Sequence, residues 1–154
     1  MKNILKYMFL AFTACLVFTA CNDDEDGVTN PGAPTNPEIE TAGVYSGTWS
    51  RALIGSTNEP TTATGTLTFE AAEVAYLTNV TADCAALSVN YSSVANITPN
   101  YAFYNNIGAS ATNGFGVAFT GDIKNNVATI SFTKTVREGR KVYNYNYTFE
   151  GSKQ

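Results

Sequence analysis

The chain of 154 residues carries 13 acidic and 9 basic side chains, a net charge of −4, and no histidine. The missing imidazole excludes His-based triads, His metal ligands and the side chain best suited to moving protons near neutral pH. No cluster of Lys or Arg interrupts the acidic balance, which excludes nucleic acid as a partner.

In chain order, Met1–Cys21 reads as a processing signal. Lys2 and Lys6 supply a positive start, Met8–Phe18 is apolar, and Thr19-Ala20 places small side chains ahead of Cys21. The apolar run is about half of the 18 or more residues that a membrane-spanning helix needs. Such a signal, ending in a small residue and then cysteine, resembles the lipobox of bacterial lipoproteins. Phe18 departs from the Leu usual there, and Phe-Thr-Ala-Cys occurs also at Phe12–Cys15. A cut before Cys15 would strand Leu16-Val17-Phe18 beyond the lipid, whereas Cys21 stands where apolar residues give way to Asn22-Asp23-Asp24-Glu25-Asp26. The resemblance implies removal of residues 1–20 and acylation of Cys21, so that the membrane becomes a partner. Several acyl chains hold firmly, since each buried CH2 contributes about 0.8 kcal/mol. The acidic run resembles a surface-export signal of some Gram-negative phyla, which implies an outer-membrane anchor and display at the cell surface. The alternatives are a plain solvated spacer and the periplasmic face.

Residues 21–40 form a tether in this reading. Six acids and no Lys or Arg lie there, and Pro31, Pro34 and Pro37 among Gly, Thr and Asn discourage helix and central strand. Extended at roughly 3 Å per residue, the stretch from Asn22 to Glu40 would reach about 50 Å. From Thr41 onward seven acids balance seven bases, so the low pI belongs to the tether.

Residues 41–154 are the size of one small domain and alternate as β-strands throughout. Thr62–Phe69 is one strand, Val74–Val80 a second, and 82–94 is mostly strand, with Asp83 able to cap a short helix instead. Tyr101–Tyr104 begins another strand before a loop rich in Gly, Ser and Asn. Phe115–Ile123 sets Phe115, Val117, Phe119, Gly121 and Ile123 on one face. Val127–Thr135 sets Ala128, Ile130 and Phe132 against Thr129, Ser131 and Thr133, and Lys141–Glu150 sets Tyr143, Tyr145, Tyr147 and Phe149 against Asn144, Asn146, Thr148 and Glu150. Lys124-Asn125-Asn126 and Glu138-Gly139 suit tight hairpins, so the last three strands form a meander. The expected fold is all-β, a single antiparallel up-and-down barrel of about eight strands, with a two-sheet sandwich as the alternative.

Gly43-Val44-Tyr45-Ser46-Gly47-Thr48-Trp49 resembles the Gly-x-Trp first strand of calycins, the lipocalin and avidin group. Phe119–Ile123, Val127–Phe132 and Tyr147–Lys153 resemble the carboxyl end of small calycin-like lipoproteins. That resemblance implies a lumen for one small apolar or amphipathic ligand, with Trp49, Phe115, Phe119, Tyr143, Tyr145 and Tyr147 as candidate lining. It also implies an arginine beside Trp49, for which Arg137 and Arg140 are available. Packing is the competing account of every one of these rings, with Trp49 closing one barrel end. If the tyrosine row points inward, Asn144 and Asn146 face solvent and can hydrogen-bond a glycan.

No catalytic residue, cofactor or metal site is expected. Cys84 reads as a small buried hydrophobe rather than a nucleophile. Glu70, Glu73, Asp122, Glu138 and Glu150 lack the pairing of a glycosidase or the spacing of a calcium loop, and Gly108–Gly116 is no phosphate loop. Two functions remain: a barrel that holds a small ligand, or a structural lipoprotein that contacts glycans or an envelope protein through its outer face and the loops Leu53–Thr61 and Asn105–Asn113. A real cavity favours the first and a packed interior the second.

Overall fold

Alternating inward apolar and outward polar residues build eight consecutive strands, each antiparallel to the next, and the last pairs with the first. In this computed structural model, which describes residues 36–105 and 114–154, they are β1 (Gly43–Leu53), β2 (Thr61–Ala71), β3 (Leu77–Cys84), β4 (Val89–Ile97), β5 (Ala102–Asn105), β6 (Phe119–Lys124), β7 (Val127–Glu138) and β8 (Lys141–Lys153). The signal segment, Cys21, most of the tether and the loop residues 106–113 lie outside the described residues. The β1–β8 seam that closes the barrel runs from Tyr45 opposite Lys153 to Leu53 opposite Tyr145. Closure removes the edges on which a sandwich would have ended.

The hairpins follow their turn residues. Asn125 and Asn126 both take positive φ (52° and 61°) between β6 and β7, and Gly139 (63°) turns β7 into β8. The uncertain stretch 82–94 resolves into the end of β3, a 3-10 turn over Ala85–Leu87 and the start of β4. Asp83 does not cap that turn; Cys84 stands at its N-cap, and its side chain makes no capping hydrogen bond. Phe115–Ala118 lies outside β6, yet Phe115 and Phe119 are buried on the face that alternation assigns them.

Two expectations need correction. The strand expected over Val74–Val80 begins only at Leu77, because Val74 and Tyr76 belong to the turn that enters β3, with the Leu77 N–H donating to the Val74 carbonyl at 3.2 Å and Tyr76 at φ of 61°. Pro37–Glu40, assigned to the extended tether, is a turn of helix, α1, with Pro37 at its start, where a missing N–H costs nothing. It caps one end of the barrel. The Tyr76 N–H donates to Glu38 Oε2 at 3.2 Å, the Tyr45 hydroxyl to the Thr41 carbonyl at 3.0 Å and Lys153 Nζ to the Glu40 carbonyl at 3.0 Å, while the Tyr101 hydroxyl donates to Glu40. The barrel therefore begins before residue 41, and the chain comes in at this plugged end. Leu53, Thr61, Cys84, Asn105, Glu138 and Lys141 stand at the opposite end, the mouth.

Candidate functional site

Among the described residues, the buried side chains form one continuous cluster inside the barrel. Trp49 is fully buried, its ring 5.0 Å from that of Phe149 and 6.2 Å from that of Phe132, and its indole N–H donates to the Thr66 carbonyl at 3.3 Å. The end where the chain comes in is closed by α1 and Tyr45. Arg137 and Arg140 are both exposed, so neither covers the indole. Phe115 packs between Phe119 (4.4 Å) and Phe132 (5.3 Å), and Phe132 stacks on Tyr147 at 5.0 Å. Tyr45, Phe69 and Phe103 continue the ring contacts toward the plugged end. Of the six residues expected to line a lumen, Trp49, Phe115, Phe119 and Tyr147 are thus brought together as mutual packing, while Tyr143 and Tyr145 are half-buried at the mouth. Cys84 is buried, with its thiol 3.4 Å from the Thr64 carbonyl.

Burial raises the hydroxyl pKa of Tyr45, and raises that of Tyr147 against a partial opposing pull from Arg51. Each raised value means that the folded state holds its proton more tightly than the unfolded chain, whose tyrosines ionise near 10. This contribution to stability is complete below about pH 10 and falls as pH rises through the folded values. Spectrophotometric titration should show tyrosines that ionise late in the folded protein and normally in urea, with the unfolding midpoint dropping from about pH 10 upward. A single ordinary tyrosine titration in both states would contradict this burial.

Space and polar groups coincide on the outer wall. A groove of about 810 Å³ runs across β5, β6, β7, β8 and β1. Its sides are outward side chains: Thr48 and Ser50 from β1, Thr148 and Glu150 from β8, Thr129 and Ser131 from β7, Thr120 and Asp122 from β6. Register sets them in two rows. Thr48, Glu150, Thr129 and Asp122 are successive cross-strand partners, as are Ser50, Thr148, Ser131 and Thr120, and the second row continues to Tyr104. Neighbouring members of a row are set by strand spacing at about 4.8 Å. Ile130 and Phe149 also line the groove but bury their side chains, so they present main chain to it.

No protein-family model matches this chain, and searches of curated proteins and of solved structures return no significant match. Within the groove, Asp122 accepts from Lys124 and, at 2.7 Å, from the Thr129 hydroxyl; these two bonds hold its carboxyl below the ordinary range despite some desolvation. Asp122 therefore stays an ionised acceptor. Beyond the groove, Asn144 and Asn146 face outward as the tyrosine alternation requires, Asn144 accepting from Thr135 at 2.7 Å and Asn146 from Ser131 at 3.5 Å. Among the described residues no group of three or more Cys, Asp or Glu is placed to hold a metal. The groove itself escaped sequence reasoning, because it joins β1 to β8 and β6, about 70 to 100 positions later; the alternation of Thr and Ser along each strand was its only trace.

Proposed function

We propose that this protein is a lipoprotein, acylated at Cys21 and displayed on the outer membrane, whose non-catalytic barrel docks a polysaccharide along the outer groove. The observation that carries this reading is the contrast between an interior occupied by packed rings and an external groove of about 810 Å³ lined by hydroxyl and carboxylate side chains. Hydroxyls both donate and accept, and carboxylates accept, which suits the dense hydroxyls of a sugar chain better than an apolar ligand. A lipid anchor before α1 would leave the mouth and the wall available to the surroundings, because the chain comes in at the plugged end. The eight-strand antiparallel closure is compatible with the calycin group that the Gly-x-Trp strand resembles, but such barrels serve many ends. An apolar ligand in the lumen is less well supported, since it would have to displace Trp49, Phe115, Phe119 or Tyr147 from their ring contacts.

The test is co-sedimentation of the detergent-purified chain with insoluble polysaccharides, peptidoglycan included. Thr148→Arg and Thr129→Arg each place a long side chain in the groove without touching the core. Each should lower the bound fraction at least tenfold while leaving the unfolding midpoint nearly unchanged, as outward surface substitutions do. Failure to bind any polysaccharide, or binding that both variants retain, sinks the proposal.

A further inference from the structure

The charges of the barrel are sorted along its axis. Five of the seven cations from Thr41 onward, Arg51, Lys134, Arg137, Arg140 and Lys141, stand at the mouth end, against Glu59, Asp83 and Glu138. The acids Glu38, Glu40, Glu70, Glu73, Asp122 and Glu150 gather toward the plugged end, with only Lys124 and Lys153 to oppose them.

Arg51 and Lys134 differ from the other three mouth cations. They are in phase with the buried residues of β1 and β7 and are themselves half-buried. Neither meets a carboxylate: among the described residues the one ion pair joins Lys124 to Asp122, at the other end. Aromatic faces stand in for counter-charges. The Arg51 guanidinium carbon lies 4.9 Å from the centre of the Tyr145 ring, and Lys134 Nζ lies 3.7 Å from that of Tyr91. Lys134 also donates to the Phe115 carbonyl at 3.2 Å, and Arg51 stands opposite Tyr147 in the β1–β8 register. A guanidinium carries five N–H donors and an ammonium three, so most of their donor capacity is not used by these partners. Strand β8 runs between them: Tyr147 pairs with Arg51 on one side, and Tyr145 with Lys134 on the other. The two cations therefore flank one tyrosine strand, two strand spacings apart across it and two residues apart along it, which sets their backbones about 12 Å apart.

We infer that the mouth binds an oxyanion, carboxylate or phosphate, between Arg51 and Lys134, with the body of the ligand lying over Tyr143 and Tyr145. The half-desolvated cations supply charge, the unused N–H groups supply direction, and the surrounding positive end draws the anion in. This site is separate from the groove and does not depend on it.

Isothermal titration of the full chain at constant chloride, with inorganic phosphate, glucuronate and glucose as probes, tests this directly. Saturable binding of phosphate or glucuronate is expected, weakened at least tenfold in Arg51→Met and in Lys134→Met and unchanged in Lys153→Met. Tighter binding of phosphate assigns the site to free anions, and tighter binding of glucuronate assigns it to an acidic sugar unit; both support the inference. In case a methionine variant fails to fold, NMR of the unsubstituted protein gives a second reading, with the Lys134 side-chain signals moving on titration and those of Lys124 staying still. Absence of binding by both anions, equal binding of glucose, anion binding that persists in the folded methionine variants, or an unmoved Lys134 signal would each overturn it.

Discussion

Trp49→Ala should remove about 3 to 5 kcal/mol of stability, the range for deleting a large buried aromatic. The indole is fully buried against Phe132 and Phe149, and the smaller side chain leaves a void that β1 cannot close, because both of its neighbours are fixed by long ladders. Small domains have only about 5 to 15 kcal/mol in total, so the variant should be partly unfolded near physiological temperature. Trp49→Phe separates the contributions. It keeps a ring in place but leaves the Thr66 carbonyl without its indole partner, for a loss of about 1 to 3 kcal/mol. Urea unfolding followed by circular dichroism checks both. Near-equal midpoints for Trp49→Ala and the unsubstituted chain would mean that the ring is not the centre of the core.

Gly47→Ala is expected to do comparable damage for the opposite reason. A Cβ at this position would stand 2.0 Å from the Glu150 carbonyl oxygen and 2.3 Å from the Gly151 Cα. Both are main-chain atoms of β8, so no side-chain rotation relieves the clash and the closing seam itself must move. Gly47 pairs with Gly151 on one side and Gly65 on the other, which lets three strands approach closely beside the indole. Overpacking commonly costs about 1 to 3 kcal/mol, and a clash with main chain on a barrel seam belongs at or above the top of that range. Gly139→Ala is the informative contrast. It has open space but φ of 63°, and should cost only the backbone penalty of about 1 to 2 kcal/mol. Hydrogen exchange locates the damage: Gly47→Ala should speed exchange along β1 and β8, and Gly139→Ala only near its own turn. The reverse pattern would place the sensitive contact elsewhere.

How much of this was legible from the residues depended on distance along the chain. The β6–β7–β8 meander was readable because its signals are local: period-two alternation sets Tyr147 and Phe149 against Thr148 and Glu150, and Asn125-Asn126 and Gly139 supply the positive φ that tight turns need. The inward face of Phe115, Phe119 and Ile123 was legible for the same reason, although regular pairing begins only at Phe119. The helical turn at Pro37–Glu40 was not. Three prolines nearby argued for extension, whereas Pro37 sits at the one helical position that tolerates it, and what holds the turn is Tyr76 and Tyr101, far along the sequence. Arg51 and Lys134 stood in phase with Trp49 and Phe132 in plain view. Alternation alone could not reveal that aromatic faces, rather than carboxylates, would receive them. The outer groove depends on the β1–β8 register, which no local signal specifies.

Polysaccharide docking on the outer wall requires that the barrel hold no apolar ligand in its interior. Native mass spectrometry of the detergent-purified chain, incubated with lipid and oligosaccharide pools, tests that most directly. The expected result is an oligosaccharide adduct that Thr148→Arg abolishes and no retained apolar molecule. A stoichiometric lipophilic adduct, lost in a folded Phe119→Leu variant and kept in Thr148→Arg, would contradict it and return the binding site to the lumen.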